Sequence, residues 1–389
     1  LAAGARFIGD SRQYWRILAR DAGLLIVTLG LYRFWVANDI RTYLWSHTEI
    51  AGDELEYTGD PFELLVGFLV LVVIFCPLFA AASIAALTSG QLIVALLLNN
   101  AAIVCLVPIT VLALYQARRY RMSHTLFRGL RFRQAGSAWI YALRTAAWFV
   151  INVLTLGLTY PSARKSLERY KMRHAFYGDL QGDFQGQARR LFKTGLLLWL
   201  VVLVPAICLL VALMPAEPDP KAEETSAALI VAGSWLALAG LAVYPGFHAT
   251  VLRWRIGGMR FGPVILDVRF STWSLYKAYL RFLGLMAVLA IIVGTGTAIW
   301  QLKILPALPS PPSPLLALAG FVVLALVYFA IVTAILFAYQ ATVRLTLWRL
   351  LVNGLSLTGI EALDRAKALP GWTPRHEGRI AGSLNIGGF

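Results

Sequence analysis

Residues Trp139–Ser162, WIYALRTAAWFVINVLTLGLTYPS, are the stretch on which the reading of the whole chain turns. Nineteen uncharged residues, 145–163, lie at its centre, close to the roughly 20 that a helix needs to cross a bilayer core. Both flanks are basic. Residues 117–138 carry Arg118, Arg119, Arg121, Arg128, Arg131 and Arg133 without an acid, and 161–193 carry eight Lys/Arg. Loops rich in Arg and Lys are retained in the cytoplasm, so a crossing at 139–162 would strand one of them on the wrong side. The segment is therefore expected to enter and return. Segment 22–36 reads the same way, because only Ala22–Tyr32, eleven residues, is free of charge.

With both segments turned back, the remaining apolar runs pair into hairpins at 62–116, 191–247 and 276–339. Every basic region, including 251–281 and the tail from 344, then shares one side with both termini. The expected fold is an all-α polytopic membrane protein of three repeated transmembrane hairpins, six crossings, plus two re-entrant or interfacial apolar segments. Short polar stretches at Glu54–Thr58, Leu130–Gln134, Leu180–Gln185 and Val264–Phe270 have strand character. They are expected to form small cytoplasmic β-ribbons, with Gly52-Asp53 and Gly178-Asp179 as tight turns, and their union into one sheet is left open.

Composition agrees with a membrane protein. Of 389 residues 59% are apolar and 14% charged, with mean hydropathy +0.68, against about 25% charged in soluble domains. That excludes an ordinary soluble fold and a disordered chain. Cys76, Cys105 and Cys208 all sit in apolar runs and form no CxxC, so neither a disulfide scaffold nor a zinc knuckle is expected. The net charge of +15 reads as cytoplasmic loops rather than nucleic-acid binding. Arg6, Arg12, Arg16 and Arg20 give the start of the chain no cleavable signal pattern.

Internal repeats divide the chain into 1–138, 139–272 and 273–389. Thr28-Leu29-Gly30-Leu31 recurs as Thr155-Leu156-Gly157-Leu158, and without a gap Tyr43 falls on Tyr170, His47 on His174 and Gly59 on Gly186. Ser46-His47-Thr48 recurs as Ser123-His124-Thr125, and Gly129-Leu130-Arg131-Phe132 as Gly258-Met259-Arg260-Phe261.

The run Thr155–Pro161, then Ala163-Arg164-Lys165, Arg169-Tyr170, Phe176-Tyr177-Gly178 and Phe184-Gln185-Gly186, resembles the YjgN-like bacterial inner-membrane family, a domain of unknown function. A first copy lies at Thr28–Tyr32 with Tyr43, Thr48, Gly52, Tyr57 and Gly59. This copy departs from the family, which is rich in Lys/Arg where the chain has Ala37-Asn38-Asp39-Ile40-Arg41. The resemblance implies an inner-membrane location and association with a membrane metallopeptidase, and brings no activity with it.

No HExxH, GxSxG or P-loop is present, so an enzyme is not expected, nor any cofactor or metal. His47, His124 and His174 occupy related positions but have no carboxylate or Cys at ligand spacing. Asn99, Asn100 and Asn152 lie inside apolar segments. They are read as interhelical bonds or, alternatively, as the polar lining of a transport or lipid-handling path. Arg118, Arg119, Arg121 and Arg253 are expected to face anionic phospholipid. The function that follows is a non-enzymatic scaffold or partner subunit of the bacterial inner membrane.

Overall fold

A computed structural model of the chain describes residues 2–88, 92–196, 199–201, 222–304 and 313–368. The proline run 305–312, the acidic connection 215–221 and the tail after 368 lie outside the described residues.

Short strands and long helices alternate in a fixed rhythm. Strand β1 (Ala2–Phe7) leads into helices α1 (Ser11–Val27) and α2 (Arg33–Ser46), then the hairpin β2 (Thr48–Ile50) and β3 (Asp53–Tyr57). Next come α3 (Pro61–Thr88), α4 (Leu92–Ser123), β4 (Thr125–Phe127) and β5 (Leu130–Gln134). Helices α5 (Ala138–Leu154) and α6 (Tyr160–Arg173) precede β6 (Ala175–Tyr177) and β7 (Leu180–Phe184). Helix α7 begins at 188, and α8 (Ala222–Gly257) enters β8 (Met259–Phe261) and β9 (Val264–Val268). Finally α9 (Thr272–Ile299), α10 (Pro314–Tyr339) and α11 (Leu345–Asn353) lead to β10 (Leu355–Thr358) and the short α12 (Glu361–Asp364).

The strands are not separate ribbons. All ten pair antiparallel with their chain neighbours, and β10 pairs with β1, so the sheet closes into a barrel. This corrects the all-α expectation of three transmembrane hairpins. Among the described residues three helices, Val231–Gly257, Thr272–Lys303 and Pro314–Asn353, are long and apolar enough to cross a membrane. Hydropathy and loop charge weigh runs of about 20 residues. They do not register strands of three to six residues, nor the pairing that joins them.

Turn chemistry sets the strand register. Ala51-Gly52 and Arg128-Gly129 both carry positive φ at the two corner residues, the type I′ geometry that matches strand twist. Gly178-Asp179 and Gly262-Pro263 place a positive-φ glycine first, as a II′ turn requires. Five equivalent hydrogen bonds then tie each helix end to the strand leaving the barrel. They run from Ile8 N to His47 O, Thr58 N to His124 O, Ala135 N to His174 O, Gln185 N to Gly258 O and Arg269 N to Gly354 O, at 2.7–3.0 Å. The barrel is thus built of five similar units, four holding a strand hairpin and the fifth the β10–β1 pair, where three repeats are legible in the sequence.

Apolar side chains fill the barrel: Phe127, Tyr177, Val264 and Leu357 are buried, with Leu55, Phe132, Phe261 and Leu266 packed on them. Buried Tyr177 Oη donates to Phe127 O at 3.0 Å, so its polar end is satisfied. Residues 360–366 cover the hairpin-turn end, where Leu363 joins this core, Arg128 pairs with both Asp53 and Asp364, and Asp179 accepts from Lys367 N. The helices leave from the opposite end. The apolar windows of Thr272–Lys303 and Pro314–Asn353 contain no buried residue, as expected of surfaces that face lipid.

The two segments expected to turn back are helix–turn–helix hairpins with the same corner. The Thr28 and Thr155 hydroxyls donate to the helix-end carbonyls of Leu24 and Ile151, and Leu29, Gly30, Leu156 and Gly157 all have positive φ. Gly30 N bonds Leu25 O at 2.8 Å and Gly157 N bonds Asn152 O at 2.7 Å.

Candidate functional site: charged residues where the helices meet the barrel

The residue that ends each inward helix provides a common reference: His47, His124, His174, Gly258 and Gly354. Six positions earlier stand Arg41, Arg118, Glu168, Leu252 and Trp348. Three positions earlier stand Leu44, Arg121, Lys171, Arg255 and Leu351. Residues three apart share a helix face, and this face packs inward: Arg41, Leu44, Glu168 and Leu252 are all buried. Four of the five units thus bring charge to the helix–barrel junction, with Arg344 from the fifth near Arg41 and Arg121.

Strand ends orient the arginines. Arg41 Nη1 donates to Tyr57 Oη at 3.1 Å, and Arg118 Nε to Gln134 Oε1 at 3.1 Å. Tyr57 and Gln134 are the last residues of β3 and β5, so the same contact is made twice. Glu168 is held by Lys171 Nζ at 2.6 Å and Arg255 Nε at 3.2 Å. Burial alone would raise the Glu168 carboxyl, but Lys171, Arg255 and Arg118 outweigh it and hold the group down to about 2.

Arg121, on the other side of the cluster, has no carboxylate within 4.0 Å among the described residues. Burial, then repulsion from Arg41, Arg118 and Arg344, pushes the Arg121 guanidinium down from its ordinary value. Arginine does not give up its proton in proteins, so this penalty is not relieved by neutralisation. Arg121 Nη1 and Glu168 Oε2 are buried with no hydrogen-bond partner. Arg41, Arg118, Arg121, Arg255, Arg344 and Lys171 gather at the junction with Glu168, and Glu63 stands against His124 at 3.8 Å, so positive charge predominates. Such a cluster can hold an anion by charge-assisted hydrogen bonds.

The residues singled out in the sequence are placed as follows. Gly30 and Gly157 form the two hairpin corners. Tyr43 and Tyr170 bind the loop beyond the next strand, through Asp10 O at 2.6 Å and Ser137 O at 2.8 Å. His47, His124 and His174 each turn Nδ1 back to the tyrosine carbonyl four residues earlier, at 2.7–2.8 Å. They cap their own helices and sit in three different units. Among the described residues no three His, Cys, Asp or Glu side chains come together.

Asn152 is engaged within its own hairpin: its amide donates to Trp148 O at 2.7 Å and accepts from Thr159 Oγ1 at 3.1 Å. The side chains of Asn99 and Asn100 lie outside the described residues. The four basic residues expected at lipid have other partners. Arg119 donates to Gln134 O and Gly136 O, and Arg253 to Phe270 O and Thr272 Oγ1, while Arg118 and Arg121 belong to the junction. Arg41, Glu168, Lys171, Arg255 and Arg344 were not singled out. Their common spacing from the helix end is the signal that identifies four of them.

The arrangement defines a class: a ten-stranded barrel plugged at one end, with apolar helices leaving from the other and a cationic cluster between. The family described as a bacterial protein of unknown function (DUF898) matches residues 3–243, and the chain belongs to it. No curated protein and no solved structure matches the chain.

Proposed function

We propose that the chain is a non-enzymatic, multi-pass protein of the bacterial inner membrane, a binding subunit that holds an anionic ligand at the helix–barrel junction. The observation that carries the reading is half-buried Arg121, near Arg41, Arg118 and Arg344, whose enclosed Nη1 has no hydrogen-bond partner and which has no carboxylate within salt-bridge distance among the described residues. Three apolar helices support the membrane location. Parity supports the orientation: every helical excursion starts and ends on one barrel, so it crosses twice or not at all. The barrel side, which carries the basic loops and both β1 and β10, is the cytoplasmic one by the positive-inside bias. A transport path lined by asparagine is less favoured, because Asn152 already has its partners.

The test is the thermal unfolding midpoint of the full chain in neutral detergent, with sulfate exchanged for chloride at constant ionic strength. At about a hundred times Kd a bound anion stabilises by about 2.7 kcal/mol. Sulfate is expected to raise the midpoint of the wild type, and Arg121→Gln to lose most of that rise. An Arg121→Gln protein that responds as the wild type does would overturn the reading.

A further inference from the structure

One position in the five-unit frame behaves differently in one unit. Five residues before the helix end stand Thr42, Arg119, Arg169, Arg253 and Arg349. Three of the four arginines make the same clamp on the loop that follows their own strand pair. Arg119 donates to Gly136 O at 2.6 Å, Arg253 to Phe270 O at 2.7 Å and Arg349 to Gly9 O at 2.8 Å. The equivalent loop residue in the third unit is Gly186, and Arg169 makes no bond to it. Its Nε is buried with no hydrogen-bond partner. Arg169 instead lines a cavity of about 420 Å³ together with Arg144, Ser162, Lys165, Arg173 and His174.

The cavity is built to receive negative charge. Arg144 is set over the Tyr170 ring at 4.8 Å, and Tyr170 is itself fixed by two hydrogen bonds to Ser137. His174 has its Nδ1 bonded to Tyr170 O, which leaves Nε2 as its remaining polar atom. Arg173 has Asp183 at 3.5 Å, both well exposed. No carboxylate lies within 4.0 Å of Arg144, Lys165 or Arg169 among the described residues. Guanidinium forks with serine hydroxyls suit the tetrahedral oxygens of a phosphoryl group.

Its height points to the source. Arg144 lies ten residues before Leu154, about 15 Å along α5 at 1.5 Å per residue. Leu154, Leu156 and Leu158 at the hairpin corner are 78%, 64% and 40% exposed. A half-bilayer of hydrocarbon is also about 15 Å. A corner among acyl chains therefore sets the cavity at the level of lipid phosphates.

We propose that this cavity between α5 and α6 is a phosphoryl-binding site whose ligand is the headgroup of an anionic phospholipid. It rests on the membrane location proposed above but not on the junction cluster. The experiment uses the full chain in nanodiscs of phosphatidylcholine with or without phosphatidylglycerol, with bound lipid read by native mass spectrometry after extraction. A parallel arm titrates inorganic phosphate in neutral detergent. The wild type is expected to retain phosphatidylglycerol, and Arg169→Gln with Lys165→Gln to lose retention at least tenfold while keeping a monodisperse gel-filtration peak. Arg119→Gln is the control that weakens a clamp without touching the cavity, and should retain lipid. Arg121→Gln should also retain lipid, so a failure of the junction reading leaves this result standing. Stabilisation by inorganic phosphate that depends on Arg169, with no retained lipid, would overturn the lipid source. Equal lipid retention by the wild type and the double variant would overturn the site.

Discussion

The hairpins α1–α2 and α5–α6 share a backbone and differ in charge. Each pairs a 17-residue helix with a 14-residue one, and their Thr-Leu-Gly-Leu corners repeat bond for bond. In the first, cations are neutralised within the hairpin: Arg20 pairs with both Asp21 and Asp39, and Asp21 is buried. In the second, Arg144, Lys165 and Arg169 converge on a cavity without an acid. The inward positions are exchanged in the opposite sense, since Arg41 in the first corresponds to Glu168 in the second. The comparison teaches that the corner and the tyrosine–histidine exit are architecture, and that ligand chemistry is carried by the charges placed on them.

Glu168 offers the largest test of that division. If it neutralises Lys171 and Arg255, Glu168→Gln leaves two enclosed cations without their acid, and removing one partner of a buried pair costs about 3–5 kcal/mol. Arg41→Gln, which gives up the charged hydrogen bond to Tyr57 Oη at about 1.5–3 kcal/mol, should cost less. Unfolding midpoints of both variants in one detergent decide it, and equal losses would break the comparison. The pH dependence follows with a definite sign. Glu168 is held to about 2 in the fold against roughly 4.3 in an unstructured chain. Its contribution is therefore complete above that ordinary value and is lost as pH falls towards 2, up to about 3 kcal/mol. Glu168→Gln should flatten this acid limb.

The clamp arginines come next in size. Arg349 donates to Gly9 O and Ser11 Oγ, both at 2.8 Å, and bonds from charged groups contribute about 1.5–3 kcal/mol each. Arg349→Ala is expected to lose that much, and Arg169→Ala less than about 0.5 kcal/mol, the usual range for a residue without such a bond. A large loss in Arg169→Ala would mean that it carries a structural contact, and would remove the contrast between the units.

Much of the local structure was legible beforehand, and the closure was not. The stretches around β3, β5, β7 and β9 announce themselves by alternation and by Gly-containing turns. The short partners β2, β4, β6 and β8 have three residues each, too few for a period-2 signal. The bond between β1 and β10 joins residues about 350 apart in sequence, which no local pattern encodes. The histidines were found by their repeat and turned out to cap helices. The junction cluster was missed because a charge three or six residues before a helix end reads as an exposed basic exit until the barrel shows that four such exits point at one another.

At the corners the two hairpins should respond alike. Gly30 and Gly157 have φ of +95° and +85°, and a Cβ at either would meet only ordinary contacts, with Phe329 and Trp199. Backbone strain alone is then at issue, about 1–2 kcal/mol for an L-residue on the left-handed side. Gly30→Ala and Gly157→Ala are expected to lose this amount equally in unfolding measurements. Unequal losses would show that the corners bear different loads.

The smallest effect runs in the stabilising direction and tests the frame itself. Thr42 is the one clamp position without an arginine, and it is exposed. If the five units are equivalent, Thr42→Arg places a guanidinium within reach of Gly59 O, as Arg119 reaches Gly136 O. A new hydrogen bond at a partly solvated site contributes about 0.5–1.5 kcal/mol, so the midpoint should rise slightly and lipid retention stay unchanged. A gain of lipid binding in this variant would carry more weight than its stability. It would mean that one arginine at this position converts the first hairpin into a phosphoryl site, and that the absence of a cation, rather than the acids Asp21 and Asp39, sets the difference between the hairpins.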